Sequence, residues 1–470
     1  MLVQELNPTT VENPVVVNCA IASLRDFFDS RDIDAIQPSA PNAVYTTSIT
    51  LWLMILQRLK AGVSLSAAVK DLVADLPSFV PQNKRVENSL LSENNNSYSD
   101  ARKRLKLKTI VEMLERFSES IIRQSLTPGQ RRKYLLDGTT LTLPPTPELK
   151  AAFPPAINQH GESVWPLMMI FVAHELTTGC AVKPEIGAMY GNKKDSELKM
   201  ARKVMLRLPH GSVVVADAGL GIFSVAHGAV EAGHDVALRL SNSRFKSLTK
   251  RAAQISENSW RLVWTPTAKE RQTTPELPPD AQVVIQIHRK LLDNGEQLCV
   301  ATTLLRDSPD EVFEIYKCRQ DVETDIGDIK VTMDVENLRA KSEEMVLKEL
   351  HTSLIAYNAV IQFRRDAARI AKKPPRRLSF KGVWDTFESF LRRDLLTLSP
   401  EACFQRYQRA LDVASRDVIP NRPGRNFKRA AHPCRPKTTK WQKQQRQAAS
   451  KNETQNAGLN QNPSIIQNSS

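Results

Sequence analysis

Residues 132–144 read RKYLLDGTTLTLP, a short apolar run that ends where two prolines follow each other. Such a run predicts a β-strand, and the prolines predict its end. Asp137 therefore lies on this strand or at its end. The segments SVWPLMMIFVAHELTTG (163–179) and AVKPEIGAMYG (181–191) predict two further strands.

Helices and strands alternate in the next stretch. KDSELKMARKVMLRL (194–208) has helical spacing, and SVVVADAGLG (212–221) is an apolar strand that ends at Asp217. IFSVAHGAVEAG (222–233) is predicted to be a helix and DVALRLS (235–241) a strand. The order three strands, helix, strand, helix, strand is the order expected of an α/β ribonuclease-H-like domain. In that fold, acids from the first strand, a later strand and a following helix converge.

A second pattern, between residues 316 and 330, supplies a third acid. The segment reads YKCRQDVETDIGDIK, and we predict one helix that carries Tyr316, Arg319, Glu323 and Lys330. Offsets of three, four and seven residues share a helix face. A carboxylate can hold a divalent metal, while Arg, Lys and Tyr can hold phosphate oxygens. The pattern therefore favours phosphodiester chemistry on DNA.

Each of these residues also has an ordinary structural interpretation. Asp137 before Gly138 is compatible with a strand-end turn, and an aspartate after VVVA is a common end for a buried strand. Tyr316 is compatible with a core tyrosine. Arg319 and Lys330 are compatible with surface ion pairs to Asp321, Asp325 or Asp328.

Asp137, Asp217 and Glu323 fit the three acid positions of the ribonuclease-H-like order. Two divalent ions about 4 Å apart need several hard oxygen ligands, which three carboxylates and the phosphate oxygens of a substrate can supply. We therefore predict two Mg²⁺ ions as the cofactor, with Mn²⁺ able to substitute.

These motifs together resemble the DDE transposases of bacterial insertion sequences, specifically the insertion-sequence-four group with its Tyr-Arg-Glu-Lys signature. The resemblance covers about residues 20 to 365. It rests on DGTTLTLPPTPELKAAFPP, MYGNKKDSE, VVVADAGLGIFSVAHGAVEAGHDVALRL and the segment that continues past Lys330. YTTSITLWLMIL and SYSDARKRL are similar to the helical N-terminal domain of the group.

The resemblance implies a role for each matched residue. Asp137, Asp217 and Glu323 would bind the metals, and Tyr316, Arg319 and Lys330 would hold the DNA backbone near the transposon end. The partners implied are double-stranded DNA, as terminal inverted repeats and as target, and a second copy of the chain in a synaptic homodimer. The activity implied is cleavage at the element's ends followed by strand transfer, in cut-and-paste transposition.

The sequence departs from the family pattern at two places. Gln320 stands where Trp is frequent, and Ala218-Gly219 stands where Arg and an aromatic residue are frequent. The three acids are unaffected by these changes. A Trp-based pocket for a flipped base is not carried over to this chain.

Residues 1–128 are predicted to be a helical N-terminal DNA-binding domain, because apolar residues recur there at three- and four-residue intervals. A basic cluster in this region includes Arg102, Lys103 and Arg104, and we predict that it contacts DNA phosphates. The alternative is a solvated loop that leads into an amphipathic helix.

The catalytic domain is predicted at 129–245 and 310–415, with a β-rich insertion at 246–309. Trp260 and Trp264 in the insertion could stack on DNA bases, but we favour packing inside the insertion. Residues 416–470 are predicted to be a basic, polar, disordered tail that either adds salt-sensitive DNA affinity or only solubilises the chain.

Composition agrees with a nucleic-acid partner. The 470 residues carry a net charge of +14, which favours a polyanion. The six cysteines include no C-x2-C pair, so a zinc finger is disfavoured. A signal peptide and an eighteen-residue apolar run are both lacking, so we predict a cytoplasmic, nucleoid-associated bacterial protein without a membrane partner.

Two rival functions stay open at this point. One is a DNA nuclease or resolvase of the same fold that does not transpose. The other is a domesticated DNA-binding protein that has lost recombination activity. Serine- and zinc-hydrolase functions are disfavoured, because the sequence contains neither a nucleophile elbow nor paired metal-binding histidines.

Overall fold

The structure is a computed structural model. It describes residues 30–60, 63–75, 92–127, 129–159, 161–192, 194–292, 295–333, 335, 338–391 and 400–420. The predicted disordered tail therefore lies almost wholly outside the described residues. The chain up to Ile419 forms one compact unit. Among the described residues, no helix is long and apolar enough to cross a membrane.

The fold is a large mixed sheet covered by many helices. Its strands are β1 (Lys133–Thr142), β2 (Pro155–Asn158), β3 (Gly161–Glu175), β4 (Glu185–Ala188), β5 (Val213–Ala216), β6 (Asp235–Arg239), β7 (Ala253–Ser256), β8 (Ser259–Trp264), β9 (Val283–Leu291) and β10 (Gln297–Thr302).

The helices alternate with these strands or flank them. They are α1 (Ser30–Ile36), α2 (Thr47–Leu59), α3 (Leu65–Asp75), α4 (Asn96–Arg104), α5 (Leu107–Ser125), α6 (Pro147–Ala152), α7 (Glu197–Met205), α8 (Phe223–Glu231), α9 (Asn242–Thr249), α10 (Ala268–Thr273), α11 (Pro309–Lys317), α12 (Arg319–Gly327), α13 (Glu343–Ile370), α14 (Phe380–Leu391) and α15 (Pro400–Ala414).

The predicted order of three strands, helix, strand, helix and strand is confirmed by β1, β3, β4, α7, β5, α8 and β6, with α6 and the short β2 inserted after β1. In the sheet, β3 lies between β4 and β1, and β1 is followed by β5 and β6. β1 pairs antiparallel with β3, whereas β1, β5 and β6 are parallel. The apolar run of β5 is buried on both faces, as expected for a central parallel strand.

The strands of the predicted insertion extend this sheet. β10 pairs with β6, and β9, β8 and β7 follow in that order. Trp264 is 2% exposed, so it is a core residue, but it packs edge-on against Phe223 of α8, in the predicted catalytic domain, and not only inside the insertion. Trp260 packs against Phe245 and lies under the guanidinium of Arg289.

The helices of the N-terminal region share a core with the helices that end the compact unit. Helices α2 and α5 pack on α13, and their apolar side chains form one cluster with those of α14 and α15 and with one face of β1 and β3. The first predicted helix, near residue 20, lies outside the described residues. This core fixes α13, and α13 in turn supports the segment that carries the predicted acidic helix.

Candidate active site

Asp137 lies on β1, and Asp217 directly follows β5, the parallel strand beside it. In the pairing of β1 with β5, Lys133 is opposite Val213 and Leu135 is opposite Val215. Continued for two residues, which takes Asp217 one residue past the end of β5, this register brings Asp137 and Asp217 to the same edge of the two strands. Paired strands are about 4.8 Å apart, so the two carboxylates lie within reach of one or two shared metal ions.

Both acids lie on the sheet face that α11 covers. Leu135 and Val215 belong to a buried cluster with Phe313 and Tyr316 of α11. Because side chains alternate between the faces of a strand, residues 137 and 217 are on the same face as residues 135 and 215. The acids therefore face the helical segment that contains the Tyr-Arg-Glu-Lys pattern, and each is partly accessible.

The loop after β5 orients the Asp217 carboxylate. Its Oδ1 accepts hydrogen bonds from the backbone N–H groups of Gly219 (2.9 Å) and Leu220 (3.2 Å). Gly221 then passes so close to the carbonyl of Arg239, at the end of β6, that any Cβ would collide with it. The Ala218-Gly219 departure therefore belongs to a tight turn that fixes one acid.

The prediction of a single helix for residues 316–330 is wrong. Tyr316 lies in α11, Arg319 and Glu323 in α12, and Lys330 in a π-helix that spans Asp328–Thr332. Cys318 separates α11 from α12. A π-turn has i→i+5 hydrogen bonds, so the seven-residue offset no longer places Glu323 and Lys330 on one face. The backbone of Glu323 is described, but its side chain is not.

Tyr316 is a core residue that borders the acids. It is 5% exposed, and its hydroxyl is buried without a hydrogen-bond partner among the described residues. Burial raises the pKa of the hydroxyl, while Arg319 and Arg239 lower it and Asp217 raises it further. Two guanidinium groups and the Asp217 carboxylate thus act electrostatically on this tyrosine. Its burial agrees with the alternative of a core tyrosine.

Ion pairs anchor α12 and the π-helix to the rest of the unit. Asp325 is 1% exposed and accepts a 2.6 Å hydrogen bond from Nη2 of Arg376, in the basic link between α13 and α14. Asp328 lies 3.8 Å from Nη1 of Arg364 on α13. The surface-pair interpretation offers these two aspartates as partners for Arg319 and Lys330; in the structure, each has an arginine partner from a later part of the chain.

The described side chains alone do not complete a metal site. Among the described side chains, no group of three or more His, Cys, Asp or Glu residues could hold a metal, and the side chain of Glu323 lies outside that set. The two aspartates supply hard oxygen donors, which are the ligands that Mg²⁺ and Mn²⁺ prefer.

The three residues of the predicted DNA-binding cluster, Arg102, Lys103 and Arg104, have different surroundings. Arg102 forms a 2.8 Å ion pair with Glu349 of α13, and both side chains are nearly buried. Lys103 is exposed and pairs with Asp100 on the helix surface, and Arg104 is exposed. Arg102 therefore docks α4 onto α13, while the other two cations face solvent.

One family model matches the segment that carries these residues. Residues 128–359 match the family model described as the transposase DDE domain. This segment is a transposase DDE domain. The chain is accordingly a transposase, an enzyme that cleaves and transfers DNA strands. The matched segment contains Asp137, Asp217 and the whole Tyr-Arg-Glu-Lys pattern.

One solved structure that resembles the chain is a piggyBac transposase synaptic complex with hairpin DNA. The identity is 9%, the alignment covers 88% of this chain and 87% of that one, and the TM-score is 0.37. That TM-score is too low to establish a common fold. No curated protein sequence matches the chain significantly.

Two residues near the site were missed in the sequence. Arg239 ends β6 and lies beside Tyr316, and its position at the end of a strand next to β5 was the available signal. In the sequence, Arg376 is distinguished only as part of the basic stretch AKKPPRRLS. Nothing local in the sequence indicates that its partner is Asp325.

Proposed function

We propose that the transposase cleaves DNA at the ends of an insertion sequence of the insertion-sequence-four group and joins the freed ends to target DNA. The observation that carries this proposal is the register of β1 and β5, which sets Asp137 beside Asp217 on the face covered by α11. The strand order β4-β3-β1-β5-β6 supports a ribonuclease-H-like assignment for this domain.

Asp137, Asp217 and Glu323 would hold two Mg²⁺ or Mn²⁺ ions, which supply an activated oxygen nucleophile and stabilise the departing oxygen. Within the protein, the backbone N–H groups of Gly219 and Leu220 orient Asp217. Arg319 and Lys330 would bind phosphate oxygens of the transposon end. Tyr316 is buried and would instead pack beneath Arg319 and Lys330 and hold them in position.

The proposal also includes the domains of the chain, its DNA contacts outside the active site and its dimer. The chain would comprise an N-terminal domain (1–128), a catalytic domain (129–245 and 310–415), an insertion (246–309) and a tail (416–470). Lys103 and Arg104 would contact DNA phosphates outside the active site. Two copies would pair on the two inverted repeats, and the substrate places the enzyme at the bacterial nucleoid in the cytoplasm.

The test is cleavage of a plasmid that carries the coding sequence with its flanking DNA, in the presence of Mg²⁺ or Mn²⁺. We expect cuts at the element's ends by the wild type and none by Asp217→Asn. The matched control is Asp235→Asn, because Asp235 lies beside Val213, at the other end of β5 from Asp217, and its carboxylate accepts hydrogen bonds from Arg131 and the Thr303 hydroxyl. Equal cleavage by Asp217→Asn and the wild type would overturn the proposal.

Strand transfer separates this function from its rivals. A labelled end substrate should become joined to target DNA. Cleavage without joining would indicate a nuclease, and metal-independent DNA binding without either reaction would indicate a domesticated binding protein.

A further inference from the structure

The loop that carries Asp217 is held by side chains from outside it. We call residues 217–222 the Asp217 loop; it follows β5 and ends where α8 begins. The two backbone N–H groups that orient the Asp217 carboxylate belong to Gly219 and Leu220 of this loop. The position of these N–H groups depends on the conformation of the loop, so contacts that fix the loop also fix the carboxylate.

Arg244 of α9 makes the first of these contacts. Its Nη1 donates a 2.7 Å hydrogen bond to the carbonyl oxygen of Gly221. A hydrogen bond from a charged donor is stronger than one between neutral groups, and the Arg244 side chain is only partly exposed. The contact lies where the loop passes against the Arg239 carbonyl, so the backbone of Gly221 is fixed from two sides.

Arg244 is itself fixed by the packing of α9. The Ser241 hydroxyl caps this helix by accepting the backbone N–H of Arg244 at 3.3 Å. Phe245 and Leu248 of α9 are buried in the same apolar cluster as Leu220 of the Asp217 loop. The helix and the loop therefore share a core, which sets the distance that the guanidinium has to span.

Glu270 of α10 makes a second contact, at the other end of the loop. Helix α8 begins after Ile222, whose side chain cannot accept a capping hydrogen bond. The N–H of Phe223, the first residue of α8, instead donates to Oε1 of Glu270 at 3.3 Å. Oε2 of Glu270 accepts the backbone N–H and the hydroxyl of Thr267 at 2.9 Å each, in the capping box of α10. One carboxylate thus caps α10 and joins it to the end of the Asp217 loop.

We propose that Arg244 is a positioning residue for the metal ligand Asp217, and that Glu270 has the same role at the other end of the loop. This inference rests on the proposed function, because it takes Asp217 as a ligand of the divalent metal ions. Residues that orient a metal ligand without touching the metal typically contribute about 10–100-fold to metal affinity or activity. Because Arg244 acts on Asp217 through the loop backbone, we expect an effect at the lower end of that range.

The test measures how the rate of plasmid cleavage at the element's ends depends on the Mn²⁺ concentration. For Arg244→Gln, we expect the half-saturating Mn²⁺ concentration to rise about tenfold, while the rate at saturating Mn²⁺ stays within about twofold of the wild-type rate. Arg244→Lys keeps a charged donor and should restore most of the Mn²⁺ affinity. The matched control is Arg251→Gln, which removes the same charge from an exposed side chain just past the end of α9.

Mn²⁺ binding to the DNA-free protein, followed by electron paramagnetic resonance, provides a readout that does not depend on cleavage. Arg244→Gln should weaken this binding about tenfold as well. Glu270→Ala provides a second variant, because it removes the contact with Phe223 and should also weaken Mn²⁺ binding. Its control is Thr267→Ala, which removes the hydroxyl that caps α10 but leaves the contact between Glu270 and Phe223 in place.

Unchanged Mn²⁺ dependence and Mn²⁺ binding in Arg244→Gln, or an equal change in Arg251→Gln, would overturn the proposal. A lower rate at saturating Mn²⁺ with an unchanged Mn²⁺ affinity would also overturn it, because Arg244 would then act on the DNA and not on Asp217. Absence of end cleavage by the wild type would refute the proposed function separately, since the Mn²⁺ binding measurement still tests the role of Arg244. Absence of Mn²⁺ binding by the wild type would overturn both.

Discussion

The ion pair between Asp325 and Arg376 should be essential to the position of α12. Asp325→Asn keeps the side-chain shape but removes the charge that Arg376 binds at 2.6 Å. Breaking a buried ion pair by removing one partner costs about 3–5 kcal/mol. The Arg376 side chain is 23% exposed, so solvent partly compensates its charge and we expect the lower end, about 3 kcal/mol.

Thermal unfolding followed by circular dichroism measures this loss. Unfolding entropy is about 2.1 cal/mol/K per residue, so for the unit that ends at Ile419 the expected fall in Tm is about 3 °C. The control is Asp385→Asn, which breaks the exposed pair with Lys381 and should cost less than about 1 kcal/mol. Because Glu323 lies two residues before Asp325 on α12, metal-dependent cleavage should fall as well. A Tm equal to that of the control variant would refute this reasoning.

Three further perturbations have defined outcomes. Gly221→Ala should lower the free energy of unfolding by about 1–3 kcal/mol in chemical denaturation, because its Cβ meets the Arg239 carbonyl, whereas Gly228→Ala within helix α8 should not destabilise. Burial lowers the pKa of His174, so the unfolded chain binds a proton that the folded chain excludes. The Tm should therefore fall as pH drops through about 6.5, and His174→Phe should flatten that dependence; an identical slope in both proteins would contradict it. Asp137→Asn should slow metal-dependent cleavage at least about 100-fold at an unchanged Tm, and wild-type rates in a gel assay would exclude a role as metal ligand.

The strand order and two of the acid positions could be predicted because they depend on local patterns. The apolar runs around Asp137 and before Asp217 are bounded by proline and glycine, and their alternation fixes which face each acid occupies. The break at Cys318 and the following π-helix could not be predicted, because apolar spacing alone does not distinguish one helix from two that meet end to end.

Contacts between segments that are far apart in the chain could not be predicted from the sequence either. That β10 would join β6, and so extend the central sheet, depends on contacts far apart in the chain. The basic run around Arg102 predicts a DNA contact, whereas the partner of Arg102 in the structure, Glu349, is 247 residues away. A basic run in the sequence shows where cationic side chains are. It does not show whether the folded chain brings a carboxylate into an ion pair with each of them.

The most direct test of the central claim is end cleavage by Glu323→Gln in Mn²⁺, on the plasmid that carries the element with its flanks. The substitution keeps the size of the side chain and removes the charge that would complete the metal site with Asp137 and Asp217. We expect the variant to bind DNA, to keep the Tm of the wild type and to make no cuts at the element's ends. Cleavage by Glu323→Gln at the rate of the wild type would contradict it.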